Sequence, residues 1–328
     1  MQLREAISAV LATTKQETDA YDPWSWVEAS VWTNPMLALL TNGVKGGKWF
    51  SLMDKVYATA TLQAAWQRVQ KNKGSHGVDG MSIERFAAKQ EQYLLELQQA
   101  LKEGSYQPLP VKRVFIPKAG GGERPLGIPA VKDRIVQAAL KMVIEPIFEN
   151  EFVNHSYGFR PLRGCKLALR AVDGCLKAGQ TWVVDADMKS YFDSIPHALL
   201  MVEVEKFISD GKVLKLIQKY LEQDILDGMN RWTPSAGTPQ GAVITPLTQR
   251  ITFIDLSRIV LGRRFRRLRI ASGWRSLSRY RMFNRNQIFS HNHLFNQQSH
   301  NSLALTNIEG IGIGAQALQK RRESFCKL

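Results

Sequence analysis

Hydrophobic positions along the middle of the chain follow two periods, and together they predict helices and strands. Apolar residues at helical spacing predict helices over residues 61–71, 83–103, 133–148, 165–176, 196–207 and 212–223. Alternating residues predict a strand over 111–118, and a glycine-rich turn at 119–123 leads into a returning strand over 124–129. We therefore expect an α+β fold in which helices pack on an antiparallel sheet.

One short apolar run that ends in acids predicts a strand with candidate chemistry. Residues 182–186 read Trp-Val-Val-Asp-Ala, and Asp187 and the aromatic Phe192 follow. A buried strand that delivers a carboxylate to its end can hold Mg²⁺, which prefers hard oxygen ligands and takes one or two carboxylates together with substrate phosphates. The alternative is that Asp185, Asp187 and Asp193 are solvated acids at a strand end. On this stretch alone that alternative is favoured, because short motifs often match by chance.

Loops elsewhere in the chain carry residue types that suit phosphates and bases. Residues 72–80 combine Lys73 with three glycines and follow directly on Lys71, and residues 154–164 interleave aromatic side chains with arginines. Lys118 and Arg124 stand on the two sides of the hairpin turn, where cations can close on a triphosphate. Gln240 lies between Pro and Gly, which presents it on a constrained backbone. Each of these, taken alone, is also compatible with an ordinary surface loop.

The chain has 328 residues and a formal net charge of +15, with a pI near 9.8. Such a balance favours a nucleic-acid partner. Residues 250–328 hold 15 of the 44 lysines and arginines but only 3 of the 29 acids, so most of the net charge lies there. No apolar run is long enough to span a membrane, no secretory signal is evident, and three scattered cysteines indicate reduced thiols. We expect a cytoplasmic protein without a membrane partner.

Six motifs in one order, over about residues 50–247, resemble a bacterial group II intron reverse transcriptase/maturase. They are NKGSHGVDG, VKRVFIPK with GGERPLGIP, KDRIVQAAL, HSYGFRPLRG, VVDADMKSYFDSI and GTPQGAVITPL. The resemblance implies an RNA-directed DNA polymerase with fingers and palm. It divides the chain into a helical N-terminal extension over residues 1–53, fingers and a partial palm over 54–248, and a divergent basic tail over 249–328. Four tryptophans in the extension are expected to pack on the main body.

The resemblance also implies roles for individual residues at the nucleotide. Asp187 matches the first metal-binding aspartate, and the Met188 carbonyl would help to hold the same Mg²⁺. Phe192 matches the aromatic residue that excludes a ribose 2′-hydroxyl. The remaining nucleotide-binding residues are the triphosphate-gripping cations Lys118 and Arg124, and Gln240 against the sugar.

The same resemblance implies the nucleic-acid partners. Asn72, Lys73 and Gly74 match the start of the family's lid over the template, and Arg160 and Arg163 lie in a loop expected to contact RNA. The implied partners are a group II intron RNA, an RNA template, a DNA primer and deoxynucleoside triphosphates. The implied reaction is attack of a 3′-hydroxyl on an α-phosphate, with two Mg²⁺ ions stabilising the attacking and leaving oxygens.

The sequence departs from the family pattern after about Leu247. The family continues with a Leu-Ala-Asn-like step and a Tyr-x-Asp-Asp hairpin, whereas this chain continues Thr248-Gln249-Arg250 and contains no Asp-Asp pair. The second half of the metal site is therefore expected to be missing, because one acid cannot hold two hard cations against their repulsion. We interpret residues 249–328 as the product of a frameshift or rearrangement, irregular or out of frame. The rival interpretation is a basic RNA-binding arm.

Three hypotheses about function follow from these residues. The first is a member of the RNA-directed DNA polymerase family that is inactive on its own. The second is a non-catalytic remnant that binds intron RNA through the fingers and extension. The third is a pseudogene product without function. Primer extension with Mg²⁺ separates the first from the others, and salt-dependent RNA binding separates the second from the third.

Overall fold

The computed structural model describes residues 22–44, 46–117, 121–179, 182–188, 191–252, 254 and 277–284. Over 182–188 and 277–284 the description is that of the backbone. None of the helices in this described part has the length and hydropathy that a membrane crossing requires.

The N-terminal part is helical, as the sequence predicts. It comprises α1 (Asn34–Asn42), α2 (Met53–Val56), α3 (Thr59–Asn72), α4 (Ile83–Ala87) and α5 (Gln90–Glu103). Ser82 begins α4 as its N-cap, and its side chain accepts a hydrogen bond from Arg85 N. The single helix expected over 83–103 is two helices, because Lys89 leaves the helical conformation at φ −136° and ψ 34°.

The extension packs on the body through its tryptophans, as expected. Trp32 is buried and its Nε1 donates to Met142 O at 3.1 Å. The rings of Trp32 and Trp49 meet edge-on at 5.2 Å, and Trp49 N donates to Phe207 O at 2.7 Å. Residues 24–57 therefore contribute to the same hydrophobic core as the helices that follow.

The hairpin forms as predicted, from β1 (Val111–Pro117) and β2 (Glu123–Ile128) paired antiparallel. The long α6 (Val131–Glu149) follows and is buried on nearly all sides, which suits a helix at the centre of a core. Next come α7 (Cys165–Lys177), β3 (Trp182–Met188), α8 (Tyr191–Ser194), α9 (His197–Glu205) and α10 (Gly211–Leu221). These bounds agree with the predicted helices and central strand to within about two residues.

The main sheet is mixed rather than purely antiparallel. Two short strands, β4 (Ile225–Asp227) and β5 (Asn230–Trp232), complete the order β2-β1-β4-β5, and β1 and β4 run parallel. Parallel neighbours need a long crossover connection, and the chain between β1 and β4 supplies one through β2, α6 to α10 and β3. Neither β4 nor β5 is predicted by the hydrophobic pattern, because a strand of three residues is too short to show an alternation.

The helix α11 (Thr245–Thr252) crosses the expected boundary at residue 248. Arg250 is 1% exposed, donates to Glu145 Oε1 at 2.7 Å and Glu149 Oε2 at 3.4 Å, and lies over the Phe152 ring at 4.8 Å. Ile251 and Ile254 are in the core. Residues up to Thr252, and Ile254, therefore belong to the folded body, whereas the sequence predicted that a divergent tail begins at residue 249.

One more strand of the predicted tail is described. Residues Leu277–Asn284 form β6, which pairs antiparallel with β3 and places Asp187 opposite Arg279 in the backbone register. The register shifts between Asp187 and Met188. Within the described residues, β3 therefore belongs to a two-stranded sheet that is separate from the four-stranded one.

Candidate nucleotide and nucleic-acid site

The loop that carries Gln240 is tied by its backbone to both α8 and β2. Thr238 N donates to Phe192 O at 2.8 Å, and Gly237 N donates to Ile195 O at 2.8 Å. On the opposite side, Gly127 N donates to Gln240 O at 2.6 Å. These bonds place the Gln240 backbone between the element of Phe192 and the strand that begins beside Arg124.

Two glycines allow this close approach. Gly237 has φ +88°, and a Cβ there would lie 2.7 Å from Phe192 O. Gly241 has φ +104°, and a Cβ there would lie 2.6 Å from Gly127 O. Any side chain at either position would combine a left-handed backbone with a collision against main-chain atoms, so the packing of this loop depends on glycine.

Side chains from α6, α8 and α11 hold the end of the loop and the helix α11 that follows it. Gln137 Oε1 accepts from Val243 N at 2.9 Å, and Thr245 Oγ1 donates to Pro239 O at 2.8 Å. Tyr191 OH donates to Gln249 O at 2.9 Å, and burial raises the pKa of this phenol, so it stays protonated. The loop is therefore held at several points between the fingers hairpin and the core.

Three of the predicted nucleotide-binding residues lie on segments that backbone hydrogen bonds connect, and their roles stay predictions. Phe192 and Gln240 are joined through the Thr238 bond, and Arg124 lies three residues before Gly127 on β2, with its side chain exposed. Asp187 and Met188 lie at the end of β3, where the backbone alone is described. Lys118 lies outside the described residues.

Few acidic side chains are available for a metal in this part of the molecule. No group of three or more His, Cys, Asp or Glu side chains in the described part of the chain could hold a metal ion. The acids near Asp187 in sequence are Asp185 and Asp193, and no Asp-Asp pair follows anywhere in the chain. These residues do not fit a two-metal centre, which needs carboxylates from a second strand.

The predicted template lid lies directly on the start of α6. Lys73 and Gly74 are exposed and have φ +54° and +106°. Below them, Arg134 is nearly buried and donates to Ser75 O at 2.6 Å and Lys73 O at 3.3 Å. A Cβ on Gly77 would lie 2.6 Å from Ala130 Cα, so the loop presses on the α6 N-terminus.

Arg134 is a functional candidate that the sequence reasoning missed. Desolvation lowers its pKa, and the charge of Asp79 opposes that effect. Its signal lies in the KDRIVQAAL motif, where Arg134 and Gln137 are polar residues three apart that flank the apolar pair Ile135 and Val136. Both side chains proved to hold loops in place: Arg134 holds the lid, and Gln137 holds the Gln240 loop.

The arginines of the 154–164 loop differ in what they can contact. Arg160 is 6% exposed, and its guanidinium donates to Glu149 Oε1 at 2.8 Å and to the carbonyls of Val153 and Ser156 at 2.6 and 2.9 Å. This burial argues against RNA contact by Arg160 and assigns it to holding the loop. Arg163 is only partly buried and donates to Asn154 O.

A buried carboxyl group lies behind the site, where α6 meets the chain before β1. Asp133 Oδ1 accepts from Tyr106 OH at 2.5 Å, Oδ2 accepts from Leu109 N at 3.0 Å, and Tyr106 OH meets Tyr220 OH at 2.8 Å. Burial raises the pKa of Asp133 to about 7, although these hydrogen bonds oppose the shift. This network joins α6 to α10.

Comparison with known proteins shows which family the middle of the chain is similar to. Residues 116–271 match the sequence profile of the family described as "Reverse transcriptase (RNA-dependent DNA polymerase)". This match includes β1 from Ile116, the Asp187 strand, the Gln240 loop and residues beyond α11.

Several curated proteins are similar to this chain, and some of them are intron-encoded proteins or intron maturases. Protein YkfC of Escherichia coli (strain K12) is 44% identical over 55% of this chain and 49% of its own length. Group II intron-encoded protein LtrA of Lactococcus lactis subsp. cremoris is 35% identical over 60% of this chain and 33% of its own. Nuclear intron maturase 1, mitochondrial, of Arabidopsis thaliana is 34% identical over 29% of this chain and 13% of its own. The chain thus spans half or less of these relatives.

A solved structure titled "Partial Cas6-RT-Cas1--Cas2 complex" is similar over 64% of this chain and 35% of that one, with a TM-score of 0.42 and 19% identity. On the sequence matches, residues 116–271 of this chain are a reverse transcriptase domain, and its similar relatives include a group II intron-encoded protein and an intron maturase.

Proposed function

We propose that this chain binds RNA through its fingers and does not by itself catalyse template-directed DNA synthesis. The single observation that supports this division is the geometry of the Gln240 loop. Backbone hydrogen bonds hold the loop against α8 and β2. For the metal ions, in contrast, the sequence supplies one carboxylate that matches the family pattern, Asp187. In this proposal the chain keeps the residues of a polymerase site that bind nucleotide and RNA. It lacks the second set of carboxylates that would hold the metal ions.

The nucleotide-binding half is assigned as follows. Arg124 and Lys118 contact a triphosphate from the hairpin, Phe192 lies under the sugar, and Gln240 presents its side chain from a loop that cannot move far. Arg and Lys suit phosphate oxygens because their donors make charge-assisted hydrogen bonds. We propose that a deoxynucleoside triphosphate still binds here, with reduced affinity because metal-bridged phosphate contacts are incomplete.

The RNA-binding half is assigned to the lid and to the exposed face near it. Asn72, Lys73 and Gly74 are exposed at the end of α3 and lie on Arg134, which leaves the Lys73 ammonium available for a phosphate. Arg163 is retained as an RNA contact, and Arg160 is not. A group II intron RNA is the proposed partner, since reverse transcriptases of this family act on RNA templates.

Reverse transcriptases use divalent metal ions, and Mg²⁺ is the ion proposed for a complete family site. Here Asp187 and the Met188 carbonyl would supply at most part of one ion's ligands. Because the residues do not fit two ions, no catalytic step is assigned to this chain.

Two experiments, an RNA-binding titration and a primer-extension assay, test the proposal. The first measures binding of a structured intron RNA and a random single-stranded RNA at several salt concentrations. We expect log K to fall linearly with log salt, with a slope that reports several phosphate contacts. The second measures primer extension on an RNA template with Mg²⁺, where we expect no product. Salt-independent or absent RNA binding would remove the binding half of the proposal and favour a product without function.

A further inference from the structure

A cation held between two aromatic rings lies on the four-stranded sheet, outside the proposed nucleotide site. The Arg113 guanidinium carbon is 5.4 Å from the Phe115 ring centroid and 5.3 Å from the Trp232 ring centroid. Phe115 and Trp232 come from β1 and β5, which are not adjacent in the sheet. Arg113 therefore bridges two strands across β4 through its guanidinium.

This arginine has no acid partner among the described residues. Its Nε is buried and makes no hydrogen bond there. Asp224, the acid that precedes β4, is engaged by Arg231 at 2.6 Å and by Thr233 Oγ1 at 2.6 Å. A buried polar group without a partner is rare in folded proteins and calls for a ligand or a solvent partner.

The two rings are open to solvent. Phe115 is 45% and Trp232 is 36% exposed, although both are large hydrophobic residues. Across the four strands the charged residues are four cations and two acids, so the surroundings of the rings favour an anion. Exposed aromatic faces beside a free guanidinium are the combination that binds single-stranded nucleic acid, by base stacking and by phosphate contact.

This surface and Arg124, the proposed triphosphate contact, lie on opposite faces of the β1–β2 hairpin. Ile116 pairs with Arg124 in the β1–β2 register, and successive residues of a strand point to opposite faces. Arg113 and Phe115 therefore lie on the other face of the hairpin from Arg124. A ligand on this surface would not compete with a triphosphate gripped by Arg124.

We propose that Arg113, Phe115 and Trp232 form an aromatic–arginine platform that binds one or two nucleotides of single-stranded RNA. A base stacks on an exposed ring, and the guanidinium contacts the adjoining phosphate. The platform rests on the proposed function, since it adds a second RNA contact to the lid.

The test compares the wild-type chain with Phe115→Ala/Trp232→Ala and with Arg113→Met. Met229→Ala is the matched control, because Met229 is almost fully exposed in the same β4–β5 hairpin and contacts no ring named here. Urea unfolding confirms that each variant folds. The probes are a single-stranded RNA oligonucleotide and the same oligonucleotide with abasic spacers, which keeps the phosphates and removes the bases.

We expect the double variant to bind the base-bearing RNA about tenfold more weakly, as loss of one stacked base implies. It should bind the abasic RNA as the wild type does. Arg113→Met should lower the salt slope by about one, and Met229→Ala should change neither quantity. If the folded variants bind both RNAs as the wild type does, the platform is excluded and the proposed function remains. If the wild type shows no salt-dependent binding, the proposed function fails first.

Discussion

The Gln240 loop and the Asp187 strand differ in what the described part of the chain brings to each of them. The loop is tied through backbone atoms to two elements, with glycines where side chains would collide. The strand has one described partner, β6, and the register places Arg279 opposite Asp187 rather than another acid. In our proposal, this contrast between a well-held loop and a single matching carboxylate means that nucleotide binding and metal chemistry are separable in this chain.

The largest expected effect tests where the folded body ends. Arg250→Met removes the buried cation between Glu145 and Glu149, and leaving those acids without it should destabilise the protein by about 3–5 kcal/mol. Urea unfolding measures this. Lys177→Met, which breaks an exposed pair with Asp173, is the control and should cost about 0–1 kcal/mol. A small effect of Arg250→Met would place the end of the folded body before residue 250.

The second-largest expected effect tests whether the close contact between the Gln240 loop and β2 stabilises the protein. Gly241→Ala sets a Cβ against Gly127 O in a left-handed backbone, and we expect a loss of about 2 kcal/mol or more. Gly104→Ala is the matched control, because Gly104 has φ +78° with no atom within 4 Å of its Cβ position. It should lose only about 1 kcal/mol. Equal losses would mean that the close approach of the loop to β2 contributes nothing.

A pH effect tests the network behind the loop. The pKa of Asp133 is raised from 3.8 in the unfolded chain to about 7 in the fold, so the folded state favours the protonated acid. The contribution of this group to stability is therefore largest at low pH and declines as the pH rises from about 4 to about 7. Between pH 5 and 8 the decline from this group should be about 2 kcal/mol.

Asp133→Asn is the control for this decline, because it removes the titrating group and keeps the size of the side chain. The variant should show a flatter stability profile over the same window, measured by urea unfolding at pH 5, 6.5 and 8. The acids with lowered pKa, such as Asp210, act at lower pH and do not enter this window. A wild type that gains stability from pH 5 to 8 would contradict the assignment.

The smallest effect tests the lid. Arg134→Met removes both donors to the carbonyls of Lys73 and Ser75, which should loosen residues 73–77. We expect faster amide exchange in that loop and RNA binding weaker by several-fold, about 1 kcal/mol, because ordering the loop now opposes binding. Arg85→Met is the matched control, since Arg85 is exposed and reaches the same loop only at Gly80 O, 3.4 Å away. Unchanged exchange in Arg134→Met would show that Arg134 does not position the lid.

Much of the fold was accessible from sequence, and the reasons differ by region. Helical spacing located α3, α6 and α10, because each buries one apolar face or is buried throughout. The α+β class was confirmed, whereas the mixed sheet was not foreseen, because β4 is three residues long and its pairing with β1 depends on tertiary contacts.

Site prediction was uneven for a related reason. Phe192 and Gln240 were identified by motif, and the backbone bonds between their segments agree with a shared site. Arg160 was assigned to RNA from composition alone, yet it is enclosed by Glu149 and two carbonyls, which no local pattern reveals. Arg134 was overlooked because its polar position in the KDRIVQAAL motif does not reveal which loop it contacts until the fold is known.

The central claim is that this chain binds RNA but lacks the residues to complete metal-dependent synthesis. Primer extension under conditions where binding of the RNA template and DNA primer has been verified tests it most directly. The expected result is a saturated complex that yields no extended primer with Mg²⁺ and deoxynucleoside triphosphates. Extension that disappears in Asp187→Asn would contradict the claim, since it would show that the single matching carboxylate supports catalysis.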